Sequence, residues 1–163
     1  MAALARARYR ARQLFGSLRP RVDPSLRDEA LALLSEGERA LFASMTARDQ
    51  QHCLDVHQRL HEDGHADHDL LVAALLHDAG KGRIALWHRV AYVLSPPALL
   101  DRVTEPGDGS GWRHALYRCQ HHEQLGAELA RQAGSSEHVI ALIRGDDAAD
   151  PRLVALHAAD DAV

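Results

Sequence analysis

An all-α fold, a compact bundle of many helices, is what the sequence predicts, and three observations carry that expectation. Aromatic residues make up only 4 % of the chain while Ala, Leu and Arg abound, so the core draws on aliphatic side chains that favour helix over sheet. Pro, Gly and capping residues punctuate the chain at helix-length intervals, and apolar residues between them recur at three- and four-residue spacing rather than in alternation. At 163 residues a single domain can bury a core of its own.

Residues 3–18 form the opening helix, with Leu4, Tyr9, Leu14, Phe15 and Leu18 directed at the body, and Pro20 and Pro24 close it. A second helix covers about 24–34, with Pro24 at its N-terminal position, where a missing N–H costs nothing. A third, 36–45, gathers Ala40, Leu41, Phe42 and Met45 on one face. Thr46 and Asp49 give a capping-box-like start to a fourth over 47–63, which Gly64 ends in a left-handed conformation. Asp67 caps the fifth, 70–78, and the unbroken apolar run from Leu70 to Leu76 places that helix at the centre of the domain.

Gly80 and Gly82 break the central helix. Another helix runs over 84–94 and stops at Ser95, Pro96 and Pro97, and residues 104–111, with three Gly and a Pro, are the best candidate for a mobile flap. Helices over 112–120, 121–132 and 136–144 follow, with Gly134 as the stop between the last two. The final helix begins at Pro151 and carries Leu153, Val154, Leu156, Ala158 and Ala159 into Asp160 and Asp161. No repeat, sustained heptad, low-complexity tract or strand pattern is visible.

The formal net charge of −4 gives no general attraction to duplex nucleic acid or to anionic membranes. Residues 1–22 nevertheless contain six Arg and no acid, which leaves 13 basic against 23 acidic side chains in the remainder. That basic start reads as a polar-faced helix docked on the body; a transit peptide and a surface-binding helix are its alternatives, and it is the natural place for self-association into a homo-oligomer. Cys53 and Cys119 show no CxxC spacing and read as reduced core thiols of a cytoplasmic protein. No stretch approaches the about 18 apolar residues of a membrane span, and no secretory leader is expected.

The chemistry is expected where the central helix ends. His77 and Asp78 stand side by side, followed by Ala79, Gly80 and Lys81, the only lysine among 19 basic side chains. A buried imidazole needs partners for both ring nitrogens, and a buried carboxylate needs a cation. His52 lies on another helix with an apolar neighbourhood, and Asp160 repeats the situation of Asp78 at the end of the last helix. Two neutral imidazoles and two carboxylates balance one divalent ion, consistent with Mn, Fe, Zn or Mg. The plainer reading of the doublet is a helix end fraying into surface residues. His57 and His61 also have zinc spacing, and His65 and His68 follow, but they sit among Asp55, Gln58, Glu62, Asp63 and Asp67, the mark of a hydrated surface. His88 and His138 read as ordinary half-buried positions with no carboxylate to orient them.

The order His52, then His77 with Asp78, then Asp160, on successive helices, resembles the HD-domain superfamily of metal-dependent phosphohydrolases in its HDxGK variant, over about residues 47–161. The strongest piece is LLVAALLHDAGK at 70–81. His122-Glu-Gln-Leu-Gly-Ala-Glu-Leu-Ala is similar to the stretch in which such proteins place a further active-site His, and Leu156-His-Ala-Ala-Asp160 to their closing helix. The resemblance implies an HD-like metal-binding helical domain over 47–163, with 1–46 as N-terminal helices packed on it in one globular unit. It implies His52, His77, Asp78 and Asp160 as ligands of one divalent metal ion, with Asp78, Lys81 and His122 in catalysis. Lys81 would neutralise a non-bridging phosphoryl oxygen; His122, or His121 or His114 in its place, would protonate the leaving alkoxide or ligate a second ion. Arg83, Arg113 and Arg118 are candidate phosphate clamps.

The chain departs from that pattern in two places. Where two-metal members carry a His pair it has Arg144-Gly-Asp-Asp147, so a second ion would fall to Asp146 or Asp147. The Gly-Tyr-Pro motif of cyclic-dinucleotide phosphodiesterases is absent. Two functions are therefore compatible with the sequence. One is a phosphomonoesterase or phosphodiesterase acting on a nucleotide or small phosphorylated metabolite through metal-activated water. The other is a catalytically weak or inactive regulatory module that binds metal or nucleotide.

Overall fold

Capping chemistry decides where the helices begin. The computed structural model of the protein describes residues 24–82, 84, 86–104 and 111–163. The expected helix over 3–18, Arg83, and residues 105–110 of the expected flap lie outside the described residues. The elements in order are α1 (Pro24–Ala32), α2 (Glu36–Ser44), α3 (Ala47–Glu62), α4 (His68–Leu76), a 3-10 turn (Ala79–Lys81), α5 (Leu86–Leu94), α6 (Pro97–Val103), α7 (Trp112–Gln120), α8 (His122–Gln132), α9 (Glu137–Arg144) and α10 (Pro151–Ala162). The fold is all-α among the described residues, as the composition predicts, and none of these helices is long and apolar enough to cross a membrane.

At α3, Thr46 Oγ1 accepts from the Asp49 N–H at 3.2 Å and donates to the Asp49 carboxylate at 2.7 Å, so the predicted cap is formed. Asp67 accepts from the Leu70 N–H at 2.9 Å to start α4, and Gly64 takes φ 86° after α3. A cap the sequence reading passed over starts α2: Ser35 and Glu38 exchange side-chain-to-backbone hydrogen bonds at 3.3 and 2.9 Å. Glu38 is buried there, and its second oxygen accepts from the Ser135 hydroxyl at 2.8 Å, which ties α2 to the α8–α9 connection. The region after α5 needs a correction of another kind. Pro96 and Pro97 were expected only to stop a helix, but Pro97 is the first residue of α6, a position its fixed φ suits.

Every residue from Leu70 to Leu76 is buried. The helix they form packs against α2, α3, α9 and α10, and that is why it lacks a polar face. The 3-10 turn after it lies flat on the start of α8. A side chain on Gly80 would overlap the His122 carbonyl, and one on Gly126 would press on Ile143 and on the Gly80 nitrogen. Two glycines in register thus let backbone meet backbone and bring α8 beside the end of α4.

Candidate metal centre

Three helix ends and one helix middle supply the centre. His52 projects from α3, His77 is the C-cap of α4, Asp78 opens the 3-10 turn, and Asp160 sits in the last turn of α10. The His77 N–H reaches the Ala73 carbonyl at 2.8 Å, so the helix runs up to the ring that it presents.

The His77 ring is oriented by its own helix. Its Nδ1 lies 2.9 Å from the Ala74 carbonyl, which can only accept, so Nδ1 is the protonated nitrogen and Nε2 carries the lone pair of the neutral ring. That Nε2 faces Asp78 Oδ1 at 3.4 Å and Asp160 Oδ1 at 3.6 Å. His77 Nε2 and Asp78 Oδ1 are buried atoms that make no hydrogen bond to each other, and the Lys81 ammonium lies 2.6 Å from the Asp78 carboxylate. Two acceptors that face each other out of contact with water repel unless a cation lies between them. The ligand atoms of His52, His77 and Asp78 all lie within 4.8 Å of one another, so this group could hold a metal ion. Ligands about 2.1 Å from a common ion are at most about 4.2 Å apart, and a small inward movement of the side chains suffices. Asp160 joins from one side, accepting at 2.7 Å from His52 Nε2.

The electrostatics match this geometry. Burial alone would raise the Asp78 carboxyl, but Lys81, with its ammonium 2.6 Å away, and the neighbouring imidazoles hold it well below the usual carboxylate range. Burial opposes charge on the His77 ring, yet the carboxylates of Asp78 and Asp160 override it and lift its pKa well above the ordinary imidazole value. A proton thereby occupies the place that a metal cation would take. Asp160 is also held low, the hydrogen bond from His52 and the nearby His77 ring outweighing its burial. Burial and then the charge of Lys81 push His122 down, so that its ring is neutral, with Nδ1 on the Cys119 carbonyl at 3.0 Å and Nε2 bearing the lone pair.

The remaining predicted residues distribute as follows. Lys81 donates to Asp78 Oδ2 at 2.6 Å. Arg118 donates through Nε to the Gly80 and Lys81 carbonyls at 3.1 and 3.2 Å, so it fixes the turn that carries Lys81. Arg113 is exposed, with Nε on the Val103 carbonyl at 2.7 Å, which joins α7 to the end of α6. His114 and His121 pack on Tyr117, with ring centroids 6.2 and 4.3 Å away. Asp146 pairs with Arg144 at 3.2 Å and Asp147 accepts from the Ala149 N–H at 2.9 Å, both on an exposed connection. His61 and His68 are exposed, in keeping with the hydrated surface expected of them, whereas His57 and His65 are half-buried and burial lowers the His57 pKa. His138 departs from expectation: it is exposed and its Nδ1 lies 3.3 Å from Asp69. Sequence reasoning missed Cys53 as a neighbour of the centre, its Sγ 3.7 Å from His77 Nδ1 and its thiol raised by burial. Its position beside His52 was the available signal.

No family model, curated protein or solved structure significantly matches the chain. Function is therefore read from this geometry.

Proposed function

We propose that the protein is a metal-dependent phosphohydrolase of the HD type, a phosphomonoesterase or phosphodiesterase acting on a nucleotide or small phosphorylated metabolite. One observation carries this reading: His77 Nε2 and Asp78 Oδ1, both buried atoms, face each other at 3.4 Å with no hydrogen bond between them, beside His52 and Asp160. The donor set fits a divalent ion of the Mn, Fe, Zn or Mg kind, held by His52, His77, Asp78 and Asp160. When bound, such an ion polarises a phosphoryl oxygen and makes water a better nucleophile at neutral pH.

The chain's own groups supply the rest. Lys81, now on the Asp78 carboxylate at 2.6 Å, is placed to transfer its charge to a phosphate oxygen once a cation satisfies Asp78. His122 is neutral with its Nε2 lone pair available, so it takes a proton at that atom from the attacking water and can return it to the leaving alkoxide. Arg118 holds the carbonyls of the turn and so fixes the path of the Lys81 backbone.

A regulatory module that binds metal or nucleotide without turnover is the second reading, and the surface pairing of Asp146 with Arg144 favours it, because no second carboxylate site for metal is built there. Metal analysis of the purified protein, followed by a phosphatase screen of nucleotides and phosphorylated metabolites with added Mn, tests both. Stoichiometric metal with turnover supports the hydrolase, metal without turnover supports the module, and absence of metal binding overturns both.

A further inference from the structure

Between α5 and α7 lies a cavity of about 420 Å³, bordered by Ile84, His88, Trp112, His114 and Arg118. Its size suits a small metabolite. Two imidazoles, His88 and His114, and the Arg118 guanidinium are thus gathered on its wall. Each ring is held by an aromatic neighbour: His88 lies against Trp87 with centroids 3.6 Å apart, and His114 stacks on Tyr117 at 6.2 Å.

Among the described residues the charge that lines this cavity has one sign. Arg118 contributes a cation that is never lost, each imidazole can donate, and no carboxylate lines the cavity among the described residues. The cavity also borders the 3-10 turn that carries Lys81. Arg118 binds the carbonyls of Gly80 and Lys81, and its guanidinium lies where a side chain on Gly82 would be. Ile84 stands three residues beyond Lys81, so chain geometry keeps the two within about 11 Å.

We propose that this cavity is an anion subsite, which receives a second phosphate group of a molecule whose scissile phosphate lies at the His52, His77 and Asp78 centre. The second phosphate takes hydrogen bonds from the His88 and His114 rings and lies against the Arg118 guanidinium. The assignment of the first phosphate rests on the hydrolase reading; the affinity of the cavity for an anion does not.

Titration of the chelator-treated protein with inorganic phosphate, followed by the ring resonances of its histidines, tests the subsite directly. His88 and His114 should shift together and saturate, and His114→Asn should weaken binding by about tenfold or more, with His88→Asn as the replacement should that variant not fold. Shifts that fail to saturate, or that are confined to His77 and His122, overturn the proposal. With Mn added, propane-1,3-diyl bisphosphate should be hydrolysed with kcat/KM about tenfold above that of propyl phosphate, and His114→Asn should remove that preference. An active enzyme without the preference overturns the second-phosphate assignment. Saturable binding at His88 and His114 with neither ester hydrolysed would instead overturn the hydrolase reading and leave the anion subsite standing.

Discussion

His52 Nε2 and Asp160 Oδ1 meet at 2.7 Å although 108 residues separate them in the chain. The contact joins α3 to α10 at the mouth of the centre, and it brings the last helix into a cluster otherwise built from α3 and the end of α4. Partly exposed, this pair is the accessible side of a site in which Asp78 is buried and His77 nearly so.

Asp78→Ala should lower metal affinity by about 100-fold or more, because it removes a ligand and not merely a supporting contact. The same change leaves the Lys81 ammonium without its buried partner and should destabilise the metal-free protein by about 3 kcal/mol. Metal analysis and chemical denaturation in chelator measure the two effects separately. Full metal retention would refute Asp78 as a ligand.

In chelator, stability should pass through a maximum in mildly acidic solution. The depressed Asp78 and Asp160 carboxyls contribute stability that is present above the ordinary carboxylate value of 3.8 and is lost as pH falls. The raised His77 ring contributes stability that is complete below the ordinary imidazole value of 6.5 and is lost as pH climbs through its folded pKa. Saturating metal replaces the His77 proton, so the decline on the alkaline side should disappear and metal binding should release a proton. Thermal melting across pH with and without metal checks this, and a metal-free protein whose stability rises steadily from pH 6 to 9 would contradict it.

Gly80→Ala should cost about 1–3 kcal/mol and loosen metal binding together, because the added methyl overlaps the His122 carbonyl across the flat contact with α8. Gly64→Ala, whose methyl meets nothing within 4 Å but whose φ is 86°, should lose stability alone. Melting temperature and metal affinity measured on both variants separate a positional effect from a general one.

Lys81→Met should leave metal stoichiometry intact and raise KM about tenfold, since the ammonium would serve the phosphate rather than the cation. Unchanged kinetics with an active enzyme would confine Lys81 to its pairing with Asp78.

Much of this architecture was legible in residues whose message is local. Thr46, Asp67 and Gly64 announced their helix boundaries because caps depend on a few consecutive residues, and the run from Leu70 to Leu76 announced the centre because only burial on all sides tolerates it. The α6 helix was hidden because Pro97 is equally a stop and a start, and only the residues after it decide. The structure brings together His52, His77, Asp78 and Asp160, which residue type and order along the chain had singled out. The anchoring of Arg118 on two carbonyls, the proximity of Cys53 to His77 and the pairing of His138 with Asp69 did not show, since each depends on how separate segments approach in space.

The acceptor that fixes His77 is the Ala74 carbonyl, part of the main chain. No point mutation can delete it, so the ring's tautomer is inherited with the helix and is immune to ordinary genetic drift. Random mutagenesis screened on metal binding should accordingly find losses at His52, His77, Asp78 and Asp160 and in the glycines beneath them, and almost none in whatever orients His77.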